Sequence, residues 1–352
     1  MLSSMRGLTF DDVLLVPGYN GIKSRQHVTT VVEVRGRRFE IPVISSNMDT
    51  ITGVEMANAI SGLGGMAILH RFVSIPANVE MYRKLKHPDK VGISIGVGKD
   101  GLDRAEALIS AGATIVCVDV AHGHCKEVNR TIRSLREKYS ENILVIAGNV
   151  ATYAGADYLS AAGADAIKVG IGAGSVCTTR LKTGFGVPQL TALQDCRKVD
   201  RVIISDGGIR YPADAVKALA AGADFVMLGG ILSGTDETPG ELIQRKDGSG
   251  KMIEVKQFRG MASREAQEDF MGGMSEWKTS EGVSVEVPRR GPVKDVILDM
   301  MGGIRSGLTY CGALTVKDLQ RKAQFLEISP SAHLEGLPHA VGRLTPDAKN
   351  PR

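Results

Sequence analysis

The residue best placed for chemistry in this chain is a cysteine at the end of a glycine-rich loop. Gly170-Ile-Gly-Ala-Gly-Ser-Val-Cys-Thr-Thr-Arg180 directly follows an apolar, strand-like run, Asp165-Ala-Ile-Lys-Val169. Glycines let the backbone bend into conformations other residues avoid and let a ligand approach main-chain groups closely. Cys177 in such a loop can act as a nucleophile when its surroundings stabilise the thiolate. Thr179, two residues on, could relay a proton if a carboxylate partners it. A thiol adds readily to an electron-poor carbon such as purine C2, so the pattern points to covalent chemistry on a bound substrate. Glycine-rich loops are common, and taken alone this one also fits a structural turn.

Two further glycine turns, Asp206-Gly-Gly208 and Gly229-Gly230, end the last two apolar runs. Such turns offer backbone N–H groups to a phosphate, and Ser175 could add a hydroxyl. Asp206 would repel a phosphate but suits a sugar diol, whose hydroxyls it can accept. The ligand expected from Gly207, Gly208, Gly229, Gly230, Ser175 and Asp206 is a ribose phosphate, most simply a nucleotide. The alternative is that these glycines only let helices pack closely.

Composition narrows the class. The chain has 352 residues, 43% of them hydrophobic, and 43 basic against 39 acidic residues. Such a balance makes no electrostatic case for nucleic acid. No apolar run approaches the ~20 residues that span a bilayer, and no signal-peptide pattern opens the sequence. Cys117, Cys125, Cys177, Cys196 and Cys311 are odd in number and scattered, without a CxxC pair. That argues against a disulfide framework or a structural zinc site and points to a reducing, cytoplasmic setting. His122 and His124 lack a third ligand at a known metal spacing.

The elements that must position these residues repeat along the chain. Eight short apolar runs are strand candidates: 41–45, 65–69, 91–95, 114–118, 143–147, 165–169, 202–205 and 224–228. They read as fully buried parallel strands. Amphipathic stretches such as 101–110 and 212–220 lie between them, and three end in Ala-Gly-Ala, at 111–113, 162–164 and 221–223. Glycine is the usual residue at the left-handed stop of a helix. About eight repeats of helix, glycine stop and buried strand make a (β/α)8 barrel, whose active site lies at the C-terminal ends of the strands. The polar residues Asn47, Asp49, His70, Arg71, Asp119, Asn149 and Asp206 all fall there. A single barrel domain is expected over 1–330, with an active-site flap at about 233–292 and a tail over 331–352.

Along nearly its full length the chain resembles the IMP dehydrogenase/GMP reductase family. The resemblance runs from Leu8-Thr-Phe-Asp-Asp-Val-Leu-Leu15 to about Gln324. Its most specific motifs are the cysteine loop with Gly184-Phe-Gly-Val-Pro-Gln189, Ser205-Asp-Gly-Gly-Ile209 and Val226-Met-Leu-Gly-Gly230. It implies a (β/α)8 barrel assembled as a homotetramer, with Cys177 attacking purine C2. It makes Thr179 and Glu281 a proton-transfer pair and gives ribose and phosphate to Ser175, Asp206, Gly207, Gly208, Gly229 and Gly230. Gly260, Met261, Ala262, Lys278, Ser280 and Gly282 would close over the nucleotide. Arg71, Asp119, Val120, Ala121, Asn149, Ile171 and Gly172 would face the nicotinamide dinucleotide, and Ser24 and Arg25 would reach a neighbouring subunit's cofactor. The carbonyls of Gly172, Gly174, Cys177 and Arg180 resemble the family's monovalent-cation loop, expected to take potassium.

Two activities share that cysteine adduct. The dehydrogenase oxidises IMP with NAD and hydrolyses the adduct to XMP, whereas the reductase expels ammonia from GMP and reduces the adduct with NADPH to IMP. Ile68-Leu-His-Arg-Phe72 runs almost directly to Val91, leaving no room for the paired cystathionine-β-synthase-type domains most dehydrogenases carry. Between Arg259 and Glu281 there is no Arg-Tyr pair, the flap signature by which dehydrogenases activate water. Instead, 272–288 is similar to the reductase lid, and Phe258 stands where dehydrogenases usually have tyrosine. His70-Arg-Phe72, Asp119-Val-Ala-His-Gly-His124 and Arg259-Gly-Met261 are more similar to bacterial dehydrogenases, while Lys278 and Val283 depart from the reductase lid. The resemblance implies an NADPH-dependent GMP reductase acting on GMP and IMP. Its alternatives are an IMP dehydrogenase and a nucleotide-binding barrel without turnover.

Overall fold

The structure is a computed structural model that describes residues 6–273 and 279–338. Eight strands close into one barrel: β1 (Val43–Ser45), β2 (Met66–Leu69), β3 (Val91–Ile95), β4 (Ile115–Asp119), β5 (Leu144–Val150), β6 (Ala166–Val169), β7 (Val202–Asp206) and β8 (Phe225–Leu228). Every neighbouring pair is parallel, and β8 returns to β1 through Val226 opposite Val43. The expected runs match these strands to within a few residues at each end. Both faces of a barrel strand are covered, which is why the sequence shows continuous apolar runs and not an alternation. All five residues of β3 are buried.

One set of side chains fills the barrel interior, among them Ile44, Met66, Ile68, Ile115, Leu144, Ile146 and Met227. A hairpin of Val32–Val34 and Arg37–Phe39 covers the N-terminal end, with the Phe39 ring edge-on to Phe225 at 5.5 Å. The other faces of the strands pack against the surrounding helices: α1 (Val54–Gly62), α2 (Ile75–Arg83), α3 (Gly98–Ser110), α4 (Lys126–Tyr139), α5 (Tyr153–Ala162), α6 (Gln189–Cys196), α7 (Pro212–Ala220) and α8 (Val293–Tyr310). The three Ala-Gly-Ala triplets follow α3, α5 and α7. Their glycines, Gly112, Gly163 and Gly222, have φ of 107°, 110° and 117°. These are conformations that a side chain strains.

Two features outside the barrel bear on the site. Strand Val13–Leu15 pairs antiparallel with Phe325–Glu327, tying the two ends of the described chain together. The segment between β8 and α8 is a small folded unit, with an antiparallel sheet of Ile243–Lys246, Met252–Arg259 and Ser284–Pro288 and a helix at Arg264–Met271. Lys256 in the middle strand is buried and donates to the carbonyls of Thr235, Asp236 and Thr238 at 3.1, 3.0 and 2.7 Å. Three backbone acceptors satisfy all three N–H groups of the ammonium, anchoring the sheet to the root of the flap.

Gly163→Ala places a side chain at a positive φ and is expected to cost about 1 kcal/mol or more. The urea midpoint of the variant measures it; an unchanged midpoint would contradict the helix-stop role.

Candidate active site

The cysteine loop leaves β6 at Gly170 and folds back on itself, the Cys177 N–H donating to Gly174 O at 3.1 Å. Flap residues 281–283, leading into the strand Ser284–Pro288, lie against it. Thr178 N–H donates to Glu281 O (2.8 Å), Val283 N–H to Val176 O (3.0 Å) and Glu281 N–H to Ala262 O (3.1 Å). Gly282 sits between these segments, where a Cβ would come within 3.1 Å of Ser263 N and 3.3 Å of Gly260 Cα. This weave brings three expected residues together from positions about a hundred apart. The Cys177 thiol donates to Thr179 Oγ1 at 3.2 Å, and the Thr179 hydroxyl donates to Glu281 Oε2 at 2.8 Å. A proton path thus joins the flap carboxylate to the sulfur. Cys117 and Cys196 are wholly buried, and burial pushes both thiols up to about 12, the reverse of activation.

Beneath the loop lies a floor of polar side chains at the ends of five strands. Asp119 ends β4, Asp206 ends β7, and Lys168 lies on β6 with its Nζ 2.6 Å from Asp119 Oδ1 and 3.3 Å from Asp206 Oδ2. Asn47, just past β1, donates to Asp119 Oδ2 at 2.9 Å, and Asn149 on β5 donates to Asp206 Oδ2 at 2.9 Å. Burial pushes the Asp119 carboxyl up, but the Lys168 ammonium beside it prevails and holds it below its ordinary value. Burial likewise disfavours the charge on Lys168, and Asp119 with Asp206 reverses that, holding the ammonium above its ordinary value.

The glycine turns meet at the far side of the loop. Gly207 and Gly208 have φ of 101° and 80°, and a Cβ on Gly207 would lie 3.0 Å from the Ala173 carbonyl carbon. A Cβ on Gly230 would lie 2.5 Å from Ser175 Oγ, so that turn keeps the space beside the serine hydroxyl open. Together with the floor and the loop they enclose a cleft of about 920 Å³. Of the expected residues, Ser175, Cys177, Thr179, Arg180, Asp206, Gly207, Gly208, Gly229, Gly230, Gly260, Met261, Ala262 and Glu281 line it. So do Arg71, Asp119, Val120, Ala121, Asn149, Ile171, Gly172 and Gly174.

Other expectations fall elsewhere. Ser280 stands behind the lining, its hydroxyl donating to Gly282 O at 2.8 Å and Ala262 O at 3.2 Å. Ser24 and Arg25 begin a short turn away from this chain's cleft, the Ser24 hydroxyl accepting from Gln26 N. Lys278 lies outside the described residues. His122 and His124 have ring centroids 6.4 Å apart, and no cluster of three or more His, Cys, Asp or Glu side chains suited to a metal occurs among the described residues.

Sequence reasoning missed two supports of the site. One is Lys168, which sits inside an apolar strand run, where a lone charge that must be buried on both faces is itself a signal. Gln189 is buried at the start of α6 and donates to Val169 O (2.8 Å) and Ser205 Oγ (3.2 Å), joining β6 to β7 below the loop. Only the three-dimensional neighbourhood shows that role.

The sequence profile described as IMP dehydrogenase / GMP reductase domain matches residues 7–339. GMP reductase 1 of Mus musculus is 40% identical over 92% of this chain and 95% of its own length. Two solved structures share the fold. One, described as inosine 5'-monophosphate dehydrogenase from Legionella pneumophila, is 54% identical with a TM-score of 0.83, covering 93% of this chain and 99% of that one. The other is a cysteine-to-alanine variant of GMP reductase from Trypanosoma brucei in complex with guanosine 5'-monophosphate. It has a TM-score of 0.90 at 28% identity, covering 97% of this chain and 99% of that one. These matches take in the barrel, the cysteine loop and the flap together, and the chain belongs to the IMP dehydrogenase/GMP reductase family of oxidoreductases.

Proposed function

We propose that the protein is a GMP reductase, converting GMP to IMP and ammonia with NADPH. The observation that carries this reading is what the flap brings to the cleft. It contributes Phe258, Gly260, Met261, Ala262, Gln267, Thr279 and Glu281, an acid and, among the described residues, no guanidinium. The arginines of the flap sheet are engaged elsewhere: Arg245 with Glu286, Arg259 with Asp49 and Asp269, and Arg289 with Asp236 and Glu254. A flap that brings a carboxylate and a proton path to the leaving group and, among the described residues, no arginine to activate water suits deamination better than hydrolysis.

The residues present divide the work as follows. The thiolate of Cys177 attacks C2 of GMP, forming the C–S bond. Glu281 takes the thiol proton along the Thr179 path and then gives a proton to the 2-amino group, which leaves as ammonia, since an amide-like nitrogen departs poorly unprotonated. The product of this half-reaction is a thioimidate on Cys177. A nicotinamide dinucleotide, when bound, would supply a hydride to C2, and the Cys177 thiolate, leaving as the C–S bond breaks, would free IMP. Asp206 accepts the ribose hydroxyls, and Gly207, Gly208, Gly229, Gly230 and Ser175 hold the phosphate. The cofactor side fits an amide-bearing ring: Asn149 Oδ1 and Arg71 Nε, on two cleft-lining residues, are a buried acceptor and a buried donor without partners among the described residues. Gly172, Gly174, Cys177 and Arg180 would offer carbonyls to potassium. Gly174 O and Arg180 O each accept a backbone N–H already, leaving a second lone pair. Ser24 and Arg25, off this cleft, would serve a neighbouring subunit in a homotetramer.

The second reading is an IMP dehydrogenase, favoured by the 54% identity to the Legionella structure so described. Purified enzyme in potassium buffer, given GMP with NADPH and separately IMP with NAD, separates them. Consumption of NADPH with IMP and ammonia as products is expected; reduction of NAD with formation of XMP would overturn the reductase. Within the reductase reading, Glu281→Gln is expected to slow single-turnover ammonia release by about 10²-fold or more. Cofactor oxidation from a preformed adduct should change far less, and equal loss in both half-reactions would contradict the acid role.

A further inference from the structure

The cleft floor is built around a single ammonium. Lys168 follows Ala166 by two residues on β6, so its side chain points with that of Ala166 into the barrel, at its upper end. It is 2% exposed. Gly148 on β5 makes the room, because a Cβ there would lie 2.5 Å from Lys168 Cβ. Three acceptors surround Nζ: Asp119 Oδ1 at 2.6 Å, Asp206 Oδ2 at 3.3 Å and Asn47 Oδ1 at 3.4 Å. That set matches the three N–H groups of an ammonium, where a planar guanidinium would present its donors in a fork. The two carboxylates keep an open side, 23% and 22% exposed, and both line the cleft. The other ionisable groups near them are Arg71 on the cleft wall and the buried thiol of Cys117.

We propose that Lys168 is a positioning residue that holds Asp119 and Asp206 as a fixed pair of anions, one for each ligand of the cleft. The inference rests on the reading above, in which Asp206 takes the ribose of the nucleotide and Asp119 faces the dinucleotide. Two like charges this close to one buried point repel unless a cation sits between them. Without Lys168 that repulsion is no longer offset, and the pair loses the fixed, acceptor-only arrangement that sugar hydroxyls need. The shared ammonium therefore makes the nucleotide half of the cleft and the dinucleotide half depend on one charge.

Binding, measured without turnover, tests this. Isothermal titration of GMP and of NADPH into wild type, Lys168→Met, Lys168→Arg and the double variant Lys168→Met/Asp119→Asn gives the comparison. Lys168→Met is expected to weaken GMP about tenfold or more, the scale of a lost hydrogen bond to a charged group. Lys168→Arg should recover part of that affinity. The double variant, with the competing carboxylate neutralised, should recover most of the GMP affinity and none of the NADPH affinity. A purely structural lysine would show no such rescue. GMP binding by Lys168→Met equal to wild type, or a double variant no better than the single one, would overturn the proposal. If Lys168→Met fails to fold by circular dichroism, the double variant decides: recovered folding and GMP binding support the charge pairing, and continued failure counts against it. A wild-type protein that binds neither GMP nor IMP would overturn the assignment of Asp206, and this proposal with it.

Discussion

Backbone pairing between flap residues 281–283 and the cysteine loop is the contact on which the cleft depends. Thr178 N–H to Glu281 O and Val283 N–H to Val176 O set the register of the two segments. That register, and not a long flexible reach, puts the Glu281 carboxylate on the Thr179 hydroxyl and the hydroxyl on the Cys177 sulfur. A slip of one residue in this pairing would turn the Glu281 side chain away from Thr179. Gly260 and Gly282 allow the approach, their Cα atoms lying where side chains would force the segments apart.

The rest of the fold serves to hold that register. Lys256 ties the flap sheet to its root through three carbonyls, and Arg259, 9% exposed, ties it to the barrel mouth through Asp49. Arg259 also reaches Asp269 on the flap helix at 2.6 Å, and Phe270 beside it packs on Phe72 after β2 at 5.5 Å between ring centroids. A buried ion pair such as Arg259–Asp49 is a poor source of net stability but costly to break singly, which favours one flap position over many. On the barrel side, the floor is rigid because five strand ends share it.

How much of this was legible in the sequence follows from how local each cause is. The barrel strands are continuous apolar runs, and the helix stops carry their glycines, so both could be read directly. Cys177, Thr179 and the paired glycines stand in short motifs whose chemistry is written in residue type. The flap's sheet could not be read, because Ile243–Lys246 and Ser284–Pro288 are short and mostly exposed and pair only through Met252–Arg259. Val13–Leu15 and Phe325–Glu327 are too short to signal a strand and pair across almost the whole chain. In the sequence only the family resemblance points to Glu281; its distance to Thr179 belongs to the fold. Lys168 looked like one more residue of a strand, because its meaning depends on Asp119 and Asp206, which lie 49 and 38 positions away.

In the proposed reaction Cys177, joined to Glu281 through Thr179, forms a covalent bond to the nucleotide. Acid quenching of the enzyme during turnover with isotopically labelled nucleotide, followed by peptide mass mapping, tests this most directly. The predicted result is a nucleotide-derived mass on the peptide that contains Cys177 and on no peptide containing Cys117, Cys125, Cys196 or Cys311. Sustained turnover with Cys177 unmodified, or an adduct on another cysteine, would contradict it.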